Sequence, residues 1–398
     1  MRRALLAFAL LVPVAAAAQE VRLEGFRPHI TGEVDMGLYA IDTLNGSAPR
    51  RQGTNAFAFG EIAAGLHLAP NFSIQGVLNT EPAGETEPNG GVTGFRYAAA
   101  SVEALFAEWR PSETVMLYAG KFSAPFGRGH HDFPGVLTAI RAHEVYLIKE
   151  SVGAGGSWTF LSDAVLGEHD LSVAVFGYDT SPLSNTLITR QRCCREGFER
   201  YRRNTRDQGG AGNTGQMDSV AVALDGDHFG WLPGLSYHAS VLSRGAGRDG
   251  TAREWGVAGA LRYDLAWTET LRTLVFAEAA AFRNAGGRPA EEIETGIDAA
   301  GDATYDTAGV GERRVFSTLG ARTSWEGWRS TLAWQKDQRK RTANAVPTED
   351  YVEWSVGRDI GWGFGVDVGW QYARYAREEG GRGQSNAAIG VLRWRQTF

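Results

Sequence analysis

Residues 255–267 read WGVAGALRYDLAW, and their alternation decides the fold. Trp255, Val257, Gly259, Leu261, Tyr263, Leu265 and Trp267 fall on one face of an extended chain, with Arg262 and Asp264 on the other. Successive side chains of a strand point to opposite faces, so this period of two marks a strand with one greasy side. Aromatic residues at both ends and aliphatic ones between them match a strand whose outer face crosses both interfaces of a bilayer.

The same design recurs along the chain. Val315, Leu319, Ala321 and Trp325 oppose Arg314, Thr318, Arg322 and Ser324; Trp328, Ser330, Leu332 and Trp334 oppose Arg329, Thr331 and Gln335. Phe364, Val366, Val368, Trp370 and Tyr372 oppose Gly365, Asp367, Gly369 and Gln371. Near the start, Ile30, Val34, Met36 and Leu38 oppose Thr31, Glu33, Asp35 and Tyr39. A soluble sandwich also alternates, so one strand alone does not separate it from a membrane barrel. The repeated aromatic tips favour the barrel.

Composition agrees. The chain holds 51 Gly, 12 Trp, 12 Tyr and 19 Phe but only 2 Cys and 4 Met. Beyond its first residues no run approaches the ~18 apolar residues of a spanning helix. A chain of this kind that crosses a membrane does so as a closed barrel, because only helices and closed barrels satisfy every backbone polar group in lipid. A net charge of -6 with mixed signs gives no general bias toward nucleic acid.

The two ends carry expectations of their own. Arg2 and Arg3, the apolar stretch from Ala4 to Val14 and the small residues Ala16-Ala17-Ala18 before Gln19 predict a cleaved secretory signal over 1–18 and a mature chain over 19–398. A retained anchor is the alternative; a lipoprotein is not expected, since no cysteine sits at the cleavage point. At the other end Ala388, Gly390, Leu392, Trp394, Gln396 and Phe398 alternate with Arg393, Arg395 and Thr397. A last strand closed by Phe398 resembles the signal by which outer-membrane barrels engage their assembly machinery.

Counting strands gives sixteen: about 28–41, 55–68, 72–80, 98–110, 115–123, 150–161, 169–178, 215–225, 235–243, 254–267, 271–281, 313–325, 328–337, 350–360, 364–374 and 386–398. Eighteen is the alternative, with 124–161 the least regular stretch. Short turns at 69–71, 111–113, 268–270, 326–327 and 361–363 alternate with long polar stretches at 42–54, 81–97, 124–149, 179–214, 282–312, 338–349 and 375–385. Short turns on one side and long loops on the other are the asymmetry of transmembrane barrels. Sixteen strands enclose a lumen wide enough for water and small solutes. The candidate pore-wall residues are Arg262, Asp264, Arg314, Arg322, Arg329, Asp367, Arg393 and Arg395. Charges are costly in a dry core and cheap beside water.

From Tyr118 to Gly127 the chain reads YAGKFSAPFG, preceded by LFAEWRP over 105–111. This hairpin and its Pro125-Phe126-Gly127 step resemble the phosphate-selective porin O and P family and related siderophore-type porins. The match covers about 25 residues locally, and length and architecture extend it over the mature chain. The resemblance implies sixteen strands, a homotrimer and a third loop, about 124–149, folded into the pore. Constriction candidates then run from Lys121 at the loop entry through Arg128, His130, His131, Asp132, Arg141, His143, Glu144 and Lys149. Charged side chains on such a loop set ion preference. The loop is charge-balanced and lacks a dense Lys/Arg ladder, which argues for a general or weakly selective pore.

Other clusters have plainer readings beside the functional ones. Arg190, Arg192, Arg195, Arg200, Arg202, Arg203 and Arg206 form a basic outer-loop segment. They gather anions at the mouth, or lie in a solvated loop against lipopolysaccharide phosphates. Cys193-Cys194 is a vicinal pair able to close only a strained disulfide. His130-His131 with Asp132 offers metal-ligand chemistry, but adjacent ligands on an extended chain point apart; no metal site and no cofactor are expected. No Gly-x-Ser-x-Gly elbow, P-loop or His-Glu-x-x-His motif occurs, so an enzyme is not expected. A gated receptor needs a plug domain of over a hundred residues, yet the first strand begins near residue 28.

The reading is therefore an all-β transmembrane antiparallel barrel of a bacterial outer membrane, lying among lipids and lipopolysaccharide. It passes small polar or ionic solutes by diffusion and binds no nucleic acid. A plug-less substrate-specific uptake porin for phosphate or another anion or for siderophore, and less so a barrel enzyme, are the alternatives.

Overall fold

Sixteen strands of the computed structural model form one closed antiparallel sheet. The structure describes residues 25–84, 86–189, 202–247, 252–287, 293–297, 303–306, 312–340, 346–377 and 380–398. The expected signal segment 1–18 lies outside them, as do Arg190, Arg192, Cys193, Cys194, Arg195 and Arg200.

The wall is built in chain order from β1 (His29–Gly46), β2 (Gly53–Ala69), β3 (Phe72–Pro82), β4 (Ala98–Ser112), β5 (Val115–Ala124) and β6 (Ile148–Asp163). It continues through β7 (Gly167–Tyr178), β8 (Ser219–Asp227), β9 (Leu235–Arg244), β10 (Glu254–Ala266) and β11 (Leu271–Arg283). The last five staves are β12 (Arg313–Trp325), β13 (Trp328–Lys340), β14 (Glu349–Gly361), β15 (Phe364–Ala376) and β16 (Arg382–Thr397). Each pairs with its sequence neighbour, and β16 returns to β1 with Trp394 opposite Met36 and Leu392 opposite Leu38. Closure leaves no edge strand, so no row of backbone donors and acceptors faces the surroundings unpaired.

The expected count of sixteen holds. Two further short strands, Val92–Gly94 on β2 and Thr186–Thr189 on β4, belong to long connections and add no stave. A separate hairpin pairs Ile293–Ile297 with Ala303–Asp306. Several strands run past their expected ends: β1 reaches Gly46 rather than 41, and β16 begins at Arg382 rather than 386. These extensions are polar, and ladder hydrogen bonds persist beyond the apolar band that the alternation marks. The seventh stave is followed by a shorter eighth, starting at Ser219 rather than 215.

The sheet is inside out relative to a soluble barrel. Leu261, Leu332 and Val368 are 58%, 57% and 59% exposed on the outer face, while Gln335, Asp337 and Glu353 on the inner face are at most 1% exposed. Trp255, Trp267, Trp325 and Trp328 stand outward near the strand ends. A protein surrounded by water gains by the opposite arrangement; lipid outside and polar contents inside account for this one.

One small residue makes room for the last side chain at the seam. Gly32 and Phe398 exchange two backbone hydrogen bonds of 2.9 Å, and the Phe398 ring lies so close that a Cβ at Gly32 would stand 2.3 Å from it. Gly32→Leu should therefore push the ring off the seam at a cost of about 1–3 kcal/mol. The expected outcome is a lower folded fraction in detergent, measured by heat-dependent electrophoretic mobility; an unchanged fraction would contradict this account of the seam.

Candidate functional site

β5 ends where Phe126, fully buried, anchors the chain to the inner wall and Gly127 turns it into the lumen. Gly127 has φ +72, a left-handed conformation that favours glycine, and a Cβ there would meet Tyr146 at 3.0 Å. Its N–H donates to His238 Nε2 at 3.1 Å, and His238 Nδ1 lies 2.9 Å from Asp225 Oδ1. The segment then forms two helices inside the barrel, α1 (Gly129–Asp132) and α2 (Leu137–Tyr146).

Wall carboxylates hold both helices at their amino ends. Glu278 on β11 accepts from the N–H groups of Arg128 and Gly129 at 2.8 and 2.6 Å. Glu353 on β14 accepts from Val136, Leu137 and Thr138, the last two at 2.8 and 2.9 Å. First-turn N–H groups have no partner inside a helix and carry partial positive charge, which a carboxylate satisfies. Gln335 adds a bond to the Thr138 carbonyl. Apolar contacts complete the attachment: Tyr146 packs on Phe316, Phe133 on Phe276 and Phe126 on Phe282. The wall gives room with small residues such as Ala280, Ala333 and Gly320.

Another side of α2 packs on the nearby staves β16 and β1. Val136, Leu137 and Ile140 pack with Tyr39 of β1 and Ile389 and Val391 of β16. With Arg141 against Asp337 of β13 and His143 against Glu103 of β4, the helix lies inside the barrel between facing parts of the wall.

Charge is distributed unevenly around this bridge. Glu61, Glu81 and Glu103, on β2, β3 and β4, gather beside α2. His143 Nε2 lies 3.1 Å from Glu61 and 3.9 Å from Glu103, and its Nδ1 lies 3.6 Å from Glu144. Lys149 pairs with Glu81 at 3.1 Å and Glu144 at 2.9 Å. Burial opposes the charge on His143, but the Glu144 and Glu61 carboxylates prevail and raise it to about 9. Burial likewise opposes ionisation of Glu144, yet His143 and Lys149 bring it down to about 2. His130 is held well below its ordinary value by burial and by the neighbouring His131.

On the other side, Arg314 and Arg339 grip buried Asp337 at 2.7 and 3.0 Å, and Arg141 of α2 joins them at 3.4 Å. Arg141 also pairs with Glu349 and lies over the Tyr351 ring at 4.1 Å. Toward the short-turn end a cavity of about 590 Å³ is lined by Arg322, Arg329, Arg393 and Arg395 together with Asp35 and Asp359. Arg329 and Arg393 share Asp367 at 2.8 and 2.7 Å, and Arg395 pairs with Asp35. Arg322 has no ion pair among the described residues.

Most sequence candidates meet around this inserted loop. Asp132 links Arg128, at 2.8 Å, to Arg262, at 2.9 Å, and Arg262 also holds Asp264 at 2.8 Å. Lys121 differs from expectation. It is 2% exposed, pairs with Glu150 and Asp179 at 3.0 Å each, and braces the strand behind the loop rather than facing the passage. His130 and His131 occupy a helical turn rather than extended chain, with ring centroids 4.4 Å apart. Arg202, Arg203 and Arg206 are exposed in the outer loop, with Arg203 donating to the Thr180 carbonyl, and they stand apart from the constriction. Sequence reasoning missed Glu61, Glu103, Glu278, Glu353 and Asp337. Their signal was present as acids on the inward parity of alternating strands.

No family model matches the chain, and no curated protein matches it. Among solved structures, the outer membrane channel DcaP of Acinetobacter baumannii aligns over 93% of this chain and 97% of its own, with a TM-score of 0.54 and 12% identity. OmpF of Salmonella typhi, in complex with daunomycin, aligns over 93% and 97%, with a TM-score of 0.51 and 11% identity. These likenesses establish that the fold is that of outer-membrane porins; neither singles out the phosphate-selective family.

Glu353→Gln keeps the side chain's shape but replaces one accepting oxygen with an NH2 group, so at least one of the three helix N–H groups loses its acceptor, a cost of about 1–3 kcal/mol. Single-channel recording should show higher conductance and greater open-channel noise as α2 loosens. Conductance and noise equal to the parent protein would mean that Glu353 does not hold the constriction.

Proposed function

We propose that the chain is a porin of a Gram-negative outer membrane, forming a water-filled channel through which small polar or ionic solutes diffuse. The observation that carries this reading is the charged inner wall. Arginines and carboxylates line a lumen crossed by a tethered loop, where only water makes unpaired or partly paired charge inexpensive. Export through a cleaved signal over 1–18 and assembly through the strand ending at Phe398 belong to the same reading. So does contact of the outer basic loop with lipopolysaccharide.

A homotrimer is part of the proposal. All twelve tryptophans lie at position 109 or later. The outer face of β1 to β3 instead presents Ile30, Leu38, Ile62, Leu66 and Ile74 among alanines and glycines. Tryptophan and tyrosine mark surfaces that meet the lipid interface, and their absence from this face favours contact with another copy. Selectivity is set toward the short-turn end, where Arg322 stands among other arginines and favours anions. Neither phosphate specificity nor catalysis has comparable support.

Planar-bilayer recording tests both points. The refolded chain should give stepwise openings in groups of three, and Arg322→Glu should move the reversal potential in a salt gradient toward cation preference. Absence of conductance at any voltage would refute the channel, and an unmoved reversal potential would refute the role of Arg322.

A further inference from the structure

His143, Glu61 and Glu103 come from three separate elements, α2, β2 and β4, and converge at the constriction. Their donor atoms all lie within 4.8 Å of one another. We propose that these three residues form a binding site for a divalent first-row transition metal such as zinc, and that occupancy pins the constriction helix to the wall. The inference rests on the placement of this loop in the lumen, not on passage of any solute.

The spacing suits such an ion. A tetrahedral metal with ligands at about 2.0–2.2 Å separates its donors by about 3.4 Å. Nε2 of His143 stands 3.1 Å from Glu61 Oε1 and 3.9 Å from Glu103 Oε2, bracketing that value. Three protein ligands leave a fourth position for water, and Glu61 remains partly exposed, giving an ion a route from the lumen. One imidazole with two carboxylates selects zinc, nickel, copper or cobalt over calcium and magnesium, which take six or more oxygens or keep their own waters.

The surroundings hold the ligands in place. Asn79, 2% exposed, donates from Nδ2 to Glu103 Oε2 at 2.9 Å and fixes that carboxylate. Its Oδ1 is buried and has no hydrogen-bond partner, which leaves an acceptor beside Glu103 for a metal-bound water. A metal would take the place of the hydrogen bond between His143 Nε2 and Glu61 Oε1.

The test uses the full chain in detergent with Cys193→Ser and Cys194→Ser, which removes competing thiols. Zinc chloride alone is titrated by calorimetry, so the readout needs no conductance. One zinc per chain is expected, undisturbed by millimolar magnesium or calcium. His143→Gln and Glu103→Gln should each weaken binding at least about tenfold, while both variants keep the heat-dependent mobility of the folded barrel. In a bilayer, zinc should lower conductance of the parent and not of His143→Gln, with a chelator reversing the effect. Absence of zinc binding by the parent, or binding undiminished in both variants, would overturn the site. A folded protein that binds zinc but never conducts would leave the site standing and remove only the channel.

Discussion

Everything in this molecule depends on a backbone that satisfies its own hydrogen bonds while presenting hydrocarbon outward. A strand in lipid has no water to turn to, so each N–H and C=O must find a neighbouring strand, and the last must find the first. The β16–β1 seam does this from Glu33 opposite Thr397 to Gly46 opposite Ser385. Once the sheet is closed, alternation leaves no freedom: if Leu319 and Leu332 face lipid, Arg322 and Arg329 must face the axis. The polar interior is thus a consequence of the greasy exterior, and the channel proposed here is a consequence of both.

A lumen of sixteen strands would be wide and poorly discriminating without an insert. The insert is held by means that a hydrated interior allows. Glu353 and Glu278 supply buried carboxylates to helix amino ends, and aromatic residues fill hollows left by alanine and glycine on the wall. These attachments come from β11 to β14 and from β16 and β1, one continuous arc of the wall, while His143 and Lys149 reach acids of β2, β3 and β4. The loop is therefore a strut across the barrel. The same strut brings His143 against acids of β2 and β4, which is why the three donors converge there.

The wall was legible in the sequence because a period of two is local: residues 255–267 announce their faces without knowledge of any partner. Turn and loop lengths supplied the topology. The constriction was legible only as a location. Whether Lys121 faces water or braces a strand depends on Glu150 and Asp179, which are 29 and 58 positions away and carry no local mark of the pairing. The helices α1 and α2 escaped for a related reason. Their hydrophobic residues pack on several different staves, so no single amphipathic stripe stands out. Acids such as Glu103 and Glu353 were visible on the inward parity, yet their role as caps or ligands exists only after the chain closes.

The inside-out sheet itself can be measured directly. Single spin labels placed along β12 and β13, in the reconstituted chain with both native cysteines replaced by serine, report collisions with oxygen or with a water-soluble nickel chelate. Labels at Leu319 and Leu332 should meet oxygen in the bilayer, and labels at Arg322 and Arg329 should meet the aqueous reagent. Equal exposure on both parities, or the reverse order, would contradict the account.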